Sequence, residues 1–142
     1  LFPHLDGVDW PAFLAGLRPA PTIDVRHTVG LLDPLDGAPL AADGLPRSLP
    51  GAIAAHGLRR FKIKLGGDPA ADARRLADVL AVLDREAPGH RYTLDGNEQY
   101  ASVEALADFG ARLRALPAFR ARPEALLCIE QPVGRDLSAS LP

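Results

Sequence analysis

Arg60-Phe61-Lys62-Ile63-Lys64-Leu65-Gly66-Gly67-Asp68-Pro69 is the stretch on which the fold turns. Its first six residues alternate apolar and charged, the period of a strand. Gly66-Gly67 breaks that period, and Asp68-Pro69 starts a helix with a carboxylate N-cap and proline at the first position. Ala73, Leu76, Ala77, Leu80 and Leu83 then recur at helical spacing, and Pro88-Gly89 stops the helix. One strand, one turn and one helix are thus legible in a single segment.

The same unit repeats on either side. Downstream, His90 to Asp95 reads as a strand, and Ser102 caps a helix whose stripe is Val103, Leu106, Phe109, Leu113 and Leu116, ended by Pro117. Leu126-Leu127-Cys128-Ile129 is a continuous apolar run, expected of a parallel strand buried on both faces, and it finishes at Glu130-Gln131-Pro132. Upstream, Gly51 to His56 makes a short helix closed by Gly57, preceded by a Gly/Pro/Asp-rich loop from Asp33 to Pro50. Thr22 to Leu32 alternates and is β-branched, so a strand is expected there. Asp9 caps a short helix from Trp10, and Pro19-Ala20-Pro21 ends it as a linker. The order βαβαβαβ implies an α/β fold with a parallel sheet and right-handed crossovers. An open doubly wound sheet and part of a (β/α)8 barrel both satisfy it.

Composition narrows the function classes. The chain has 142 residues, 47% hydrophobic and 24% charged, which suits one globular domain with a core. A formal net charge of −2 offers no basic excess for nucleic acid, and no apolar run is long enough for a bilayer. One cysteine, Cys128, excludes an internal disulfide; inside its apolar run it is expected to be inert core. The opening Leu1-Phe2-Pro3-His4 lacks the layout of a signal peptide, and a cytoplasmic location is expected. There is no methionine, even at position 1, so the chain is expected to be a processed product or a piece of a longer protein. Of 16 basic residues only two are lysines, Lys62 and Lys64, two positions apart; Asn97 is the only asparagine.

In parallel α/β folds chemistry gathers at the C-terminal ends of the strands. Three consecutive strands end in polar residues here: Lys64, then Asp95 with Asn97, then Glu130. The steps from Lys64 to Asp95 and from Asp95 to Glu130 are 31 and 35 residues, each one strand–helix unit of about 30. The three side chains are therefore expected along one rim. Two carboxylates on adjacent strands repel unless a proton or cation separates them, and Mg²⁺ suits hard oxygen donors. No Cys/His spacing suggests zinc. Lys62 and Lys64 project from one side of their strand, where desolvation and mutual repulsion would lower their pKa values toward those of usable general bases. A base beside a cation implies proton abstraction from the carbon alpha to a carboxylate, through an enediolate.

Lys62-Ile63-Lys64, Asp95-Gly96-Asn97 and Ile129-Glu130-Gln131-Pro132 resemble, in that order, the strand ends of the enolase superfamily, within it the mandelate racemase and muconate lactonizing enzyme family. The match runs from about Thr22 to Val133, and the sites of that superfamily pair a Lys or His base with Mg²⁺. The resemblance implies the first half of an enolase-like modified barrel in residues 22–142, with residues 1–21 as the tail of a capping domain. It implies that Lys64 is a catalytic acid/base, that Lys62 beside it contacts or polarises the substrate, and that Asp95 and Glu130 are two of three metal ligands. Asn97 is then a supporting residue behind the ligands. The third carboxylate and the opposing base would lie beyond Pro142, so the chain is expected to be part of a longer isomerase or lyase and inactive alone. Expected of the intact protein are a small-molecule carboxylate substrate, a homo-oligomeric state, and no nucleic-acid or membrane partner.

Blander readings stand beside these. The lysines could be solvated charges on an edge strand, Asp95-Gly96-Asn97 an ordinary turn, and Glu130 a solvated strand end. Gly66-Gly67-Asp68 lacks the full phosphate-loop pattern and is read as helix entry. His27 reads as a hydrogen-bonded core histidine, and the arginines between Ala73 and Arg85 and between Arg112 and Arg122 as solvated helix faces. Two other functions also fit: a Schiff-base aldolase using Lys64, and a non-catalytic α/β module whose rim holds a structural cation.

Overall fold

The computed structural model describes residues 3–37 and 43–138. At its centre Arg60–Lys64 forms β2, and its alternation sends Phe61 and Ile63 into the core while Lys62 and Lys64 stay on the other face. Strand β3, Arg91–Asp95, pairs with it in parallel, with Phe61 beside Tyr92 and Lys64 beside Asp95. Strand β1, His27–Val29, lies on the other side of β2, and β4, Leu126–Glu130, beside β3. The sheet is parallel throughout, in chain order β1-β2-β3-β4.

Helices precede, connect and follow the strands. They are α1 (Trp10–Gly16), α2 (Leu49–His56), α3 (Pro69–Glu86), α4 (Val103–Ala115), α5 (Pro117–Ala121) and α6 (Arg135–Ser138). Helix α3 begins where the sequence places it. The Asp68 carboxylate accepts hydrogen bonds from the amides of Ala70 and Ala71, satisfying two donors that a helix start leaves open. Ser48 and Ser102 cap α2 and α4 in the same way, and Gly57 closes α2 in the left-handed conformation. Helix α3 packs against α2, α4 and α5, so these crossovers share one layer. Leu76, Val79, Leu80 and Leu83 of α3, with Phe109 and Leu113 of α4, meet Phe61, Ile63, Tyr92 and Leu94 of the sheet in a single core.

Several expectations need correction. Only three residues of Thr22–Leu32 pair as a strand; Ile23 and Val25 are exposed and run alongside nothing that would bury them. Pro117 ends α4 but also opens α5, since proline suits the first helical position. Strand β4 is not buried on both faces: Leu127 is 47% exposed, and Cys128 is exposed, not inert core. Two arginines placed on solvated faces instead hold backbone together. Arg75 donates to the carbonyls of Gly30 (3.2 Å) and Asp33 (2.6 Å), and Arg122 donates to that of His90 (2.9 Å). Positions 38–42 of the Asp33–Pro50 loop, and the ends 1–2 and 139–142, lie outside the described residues.

Candidate functional site

The face of the sheet away from α3 carries the charges that the sequence singles out. Lys62 and Lys64 point there by strict alternation along β2, as do Thr93 and Asp95 along β3. Glu130 arrives by another route. Tyr92 lies opposite Leu126 while Leu94 lies opposite Ile129, so β4 spends three residues where β3 spends two. Strict alternation from Leu126 would turn Glu130 toward the helices. The extra residue at Leu127–Cys128 reverses the phase, and Glu130 comes to lie beside Asp95 on the charged face.

The five expected residues converge. The Lys62 ammonium touches both carboxylates, Asp95 Oδ2 at 2.7 Å and Glu130 Oε2 at 2.9 Å. The Lys64 ammonium touches the same Asp95 oxygen at 2.7 Å and donates to Asn97 Oδ1. The other Asp95 oxygen accepts the Asn97 amide at 3.2 Å. Asp95 is 1% exposed, yet its charge is compensated on both oxygens. Burial alone would raise its pKa; the hydrogen bonds from Lys62, Lys64 and the Asn97 amide overcome this and leave it at about 2. Glu130 is likewise lowered, first by Lys62 and then by Arg26. The expected depression of both lysines does not hold for Lys62: its bonds to Asp95 and Glu130 raise its pKa, because paired carboxylates favour the ammonium more than burial opposes it.

Arg26 and Thr93 are members of the cluster that sequence reasoning missed. Arg26, just ahead of β1, reaches across the sheet to the free oxygen of Glu130 and to Thr93 Oγ1 at 2.8 Å. Three cationic side chains, Arg26, Lys62 and Lys64, thus meet two carboxylates, a formal surplus of one positive charge. Asp72 is a third missed residue. It sits buried in the first turn of α3 and accepts the amides of Gly66 (2.7 Å) and Gly67 (2.9 Å) and the hydroxyl of Tyr100 (2.8 Å). That carboxylate ties the loop following Lys64 to the loop following Asp95. Its sole sequence signal was an acid in a first helical turn, which the helix dipole explains equally well.

The rim is backbone-tight as well. Asn97, Glu98 and Gln131 all hold positive φ (46°, 64° and 39°), clustered just past the ends of β3 and β4. A Cβ on Gly67 would fall 2.4 Å from the Gln99 carbonyl oxygen, and one on Gly96 would fall 2.6 Å from Pro132 Cα. His27 is half-buried against Phe61 rather than fully in the core, and burial lowers its pKa.

Two carboxylates that share one ammonium offer hard oxygen donors of the kind that Mg²⁺ takes. The donor set therefore fits a divalent cation in part: among the described residues, no group of three His, Cys, Asp or Glu forms a complete metal site. Among the described residues no helix is long and apolar enough to cross a membrane. The chain matches no protein-family model, no curated protein and no solved structure.

Proposed function

We propose that this chain carries half of the active site of a metal-dependent enzyme that removes a proton from the carbon alpha to a carboxylate. The observation that supports it best is the single ammonium shared by Asp95 and Glu130, with Lys64 on the same Asp95 oxygen. The fold counterpart of this reading is the first half of an enolase-like (β/α)8-type barrel. The parallel sheet in chain order, helices on one face and chemistry on the other favours that over a doubly wound sheet, which reverses its strand order and carries helices on both faces.

Asp95 and Glu130 are the residues that would hold the cation. Bound there, it supplies Lewis-acid stabilisation of charge on the substrate carboxylate. The chain's own residues do the rest. In its neutral amine form Lys64 Nζ takes the alpha proton and becomes the ammonium, and the electron pair of the broken C–H bond passes into the carboxylate to give an enediolate; return of that proton to carbon completes a racemisation, and departure of a leaving group with the electron pair completes an elimination. Lys62, one step deeper on the same face, offers its charge to the substrate carboxylate. Asn97 and Asp95 hold Lys64 by hydrogen bonds, which limits where its Nζ can be.

The test uses the intact parent protein. Asp95→Asn and Glu130→Gln are each expected to weaken Mg²⁺ binding at least tenfold by calorimetry, and Lys64→Ala to abolish exchange of the substrate alpha proton in D₂O with the fold intact. Unchanged Mg²⁺ affinity in both acid variants would remove the ligand assignment. Borohydride trapping of Lys64 with a carbonyl substrate would instead favour the aldolase. A parent whose every activity survives Lys64→Ala would be the non-catalytic cation-binding module.

A further inference from the structure

Beyond the charged cluster, the rim holds an apolar feature that folding does not require. Gly30 to Asp33 forms a turn closed by the Asp33 amide on the Gly30 carbonyl (3.4 Å) and by the Gly30 amide on Asp33 Oδ2 (2.8 Å). Leu31 and Leu32 occupy its two central positions, where glycine, proline and short polar residues are the usual choice. Both are exposed, Leu31 by 46% and Leu32 by 94%. Arg75 clamps the turn from α3 through the carbonyls of Gly30 and Asp33, so the leucines are displayed on fixed backbone.

They are displayed toward the site. Leu31 and Leu32 share with Leu65, Asp33, Lys64 and Asn97 the wall of a cavity of about 500 Å³. Cavities of roughly 300 to 1,000 Å³ accept small organic ligands. Lys64 is the one lysine on that wall, so whatever enters the cavity is presented to the candidate base. Lys64 is also the one cation on the wall, and its one acid, Asp33, has an oxygen taken up by the Gly30 amide at 2.8 Å. One end of the space thus presents the Lys64 ammonium and the other presents leucine.

We infer that this cavity receives the apolar substituent of the substrate, and that Leu31 and Leu32 determine specificity for carboxylates bearing a hydrophobic chain. The inference rests on the proposed function for its carboxylate end alone. Acetate, butyrate and hexanoate are the probes, titrated against the protein while the Leu31 and Leu32 methyl resonances are followed. Affinity is expected to rise at least about tenfold from acetate to hexanoate, since each added methylene leaves water. In Leu32→Ser that rise is expected to shrink below threefold with acetate binding unchanged; the exposure of Leu32 makes this variant safe for folding. Leu31→Ser is the second variant, with the same expectation. A flat series in the unmodified protein, or a rise that survives both substitutions, overturns the inference. Lys64→Met reports separately on the carboxylate end. Acetate binding that ignores it counts against the proposed base, while the chain-length series still judges the leucines.

Discussion

The two faces of the sheet are built from the same strands by opposite rules. Toward α3, Phe61, Ile63, Tyr92 and Leu94 are buried among leucines and valines, and their neighbours are interchangeable in kind. On the other face Lys62, Lys64, Asp95 and Glu130 are held by specific partners within 2.7–2.9 Å, and no side chain could be exchanged without orphaning another. The first face is a core whose stability scales with apolar area. The second is a charged network in which removal of one member leaves the others uncompensated. The difference teaches what each face responds to. A packed face responds to the volume removed, whereas a paired face responds to the charge left without its partner.

Substitutions can break this contrast in order of expected size. Phe61→Ala empties the centre of the apolar face and should cost about 3–5 kcal/mol in urea unfolding. A loss below about 1 kcal/mol would mean the core closes elsewhere. Asp95→Asn acts on the charged face and should cost about 2 kcal/mol, discounted because the lysines are partly solvated.

Acid sharpens the same point. The Asp95 pKa lies below that of an unfolded aspartate, so its stabilisation is complete above pH 4 and is lost as pH falls toward about 2. Asp95→Asn should flatten that acid limb, and an unchanged limb would place the acid sensitivity in other groups. His90 provides the counterpart inside the core. Burial, then Arg122, lowers its pKa, so the folded state resists protonation while the unfolded state accepts it. Its contribution is complete above about pH 6.5 and weakens below that value, and His90→Gln should remove that part of the slope. The smallest effect is chemical. Cys128 at the bulge of β4 is exposed and should react with a thiol reagent in the folded protein without loss of structure. Protection until unfolding would restore the buried strand that its apolar neighbours suggest.

Local signals were the readable ones. Asp68-Pro69, Ser102 and Gly57 place helix ends because a cap is a contract between residues three or four apart. Lys62 and Lys64 could be assigned to one face because a strand alternates whatever surrounds it. Arg26 left no trace in the sequence, because its partners Thr93 and Glu130 are 67 and 104 residues away. The exposure of Leu127 and Cys128 was equally hidden, since an apolar run reads the same on a covered strand and on an uncovered one.

What the residues alone determined is the succession of strands and helices, the cap positions, and the appearance of a lysine pair, an aspartate and a glutamate at intervals of one strand–helix unit. Periodicity and capping act over a few residues, and the chain carries both sides of each interaction in adjacent letters. Tertiary structure decided which way Glu130 faces. Its phase depends on pairing with β3, where one extra residue in β4 turns it from the helices toward Asp95. Tertiary structure likewise made Lys62 a bridge with a raised pKa rather than a lowered one, because the field at an amine is set by whichever carboxylates folding brings beside it.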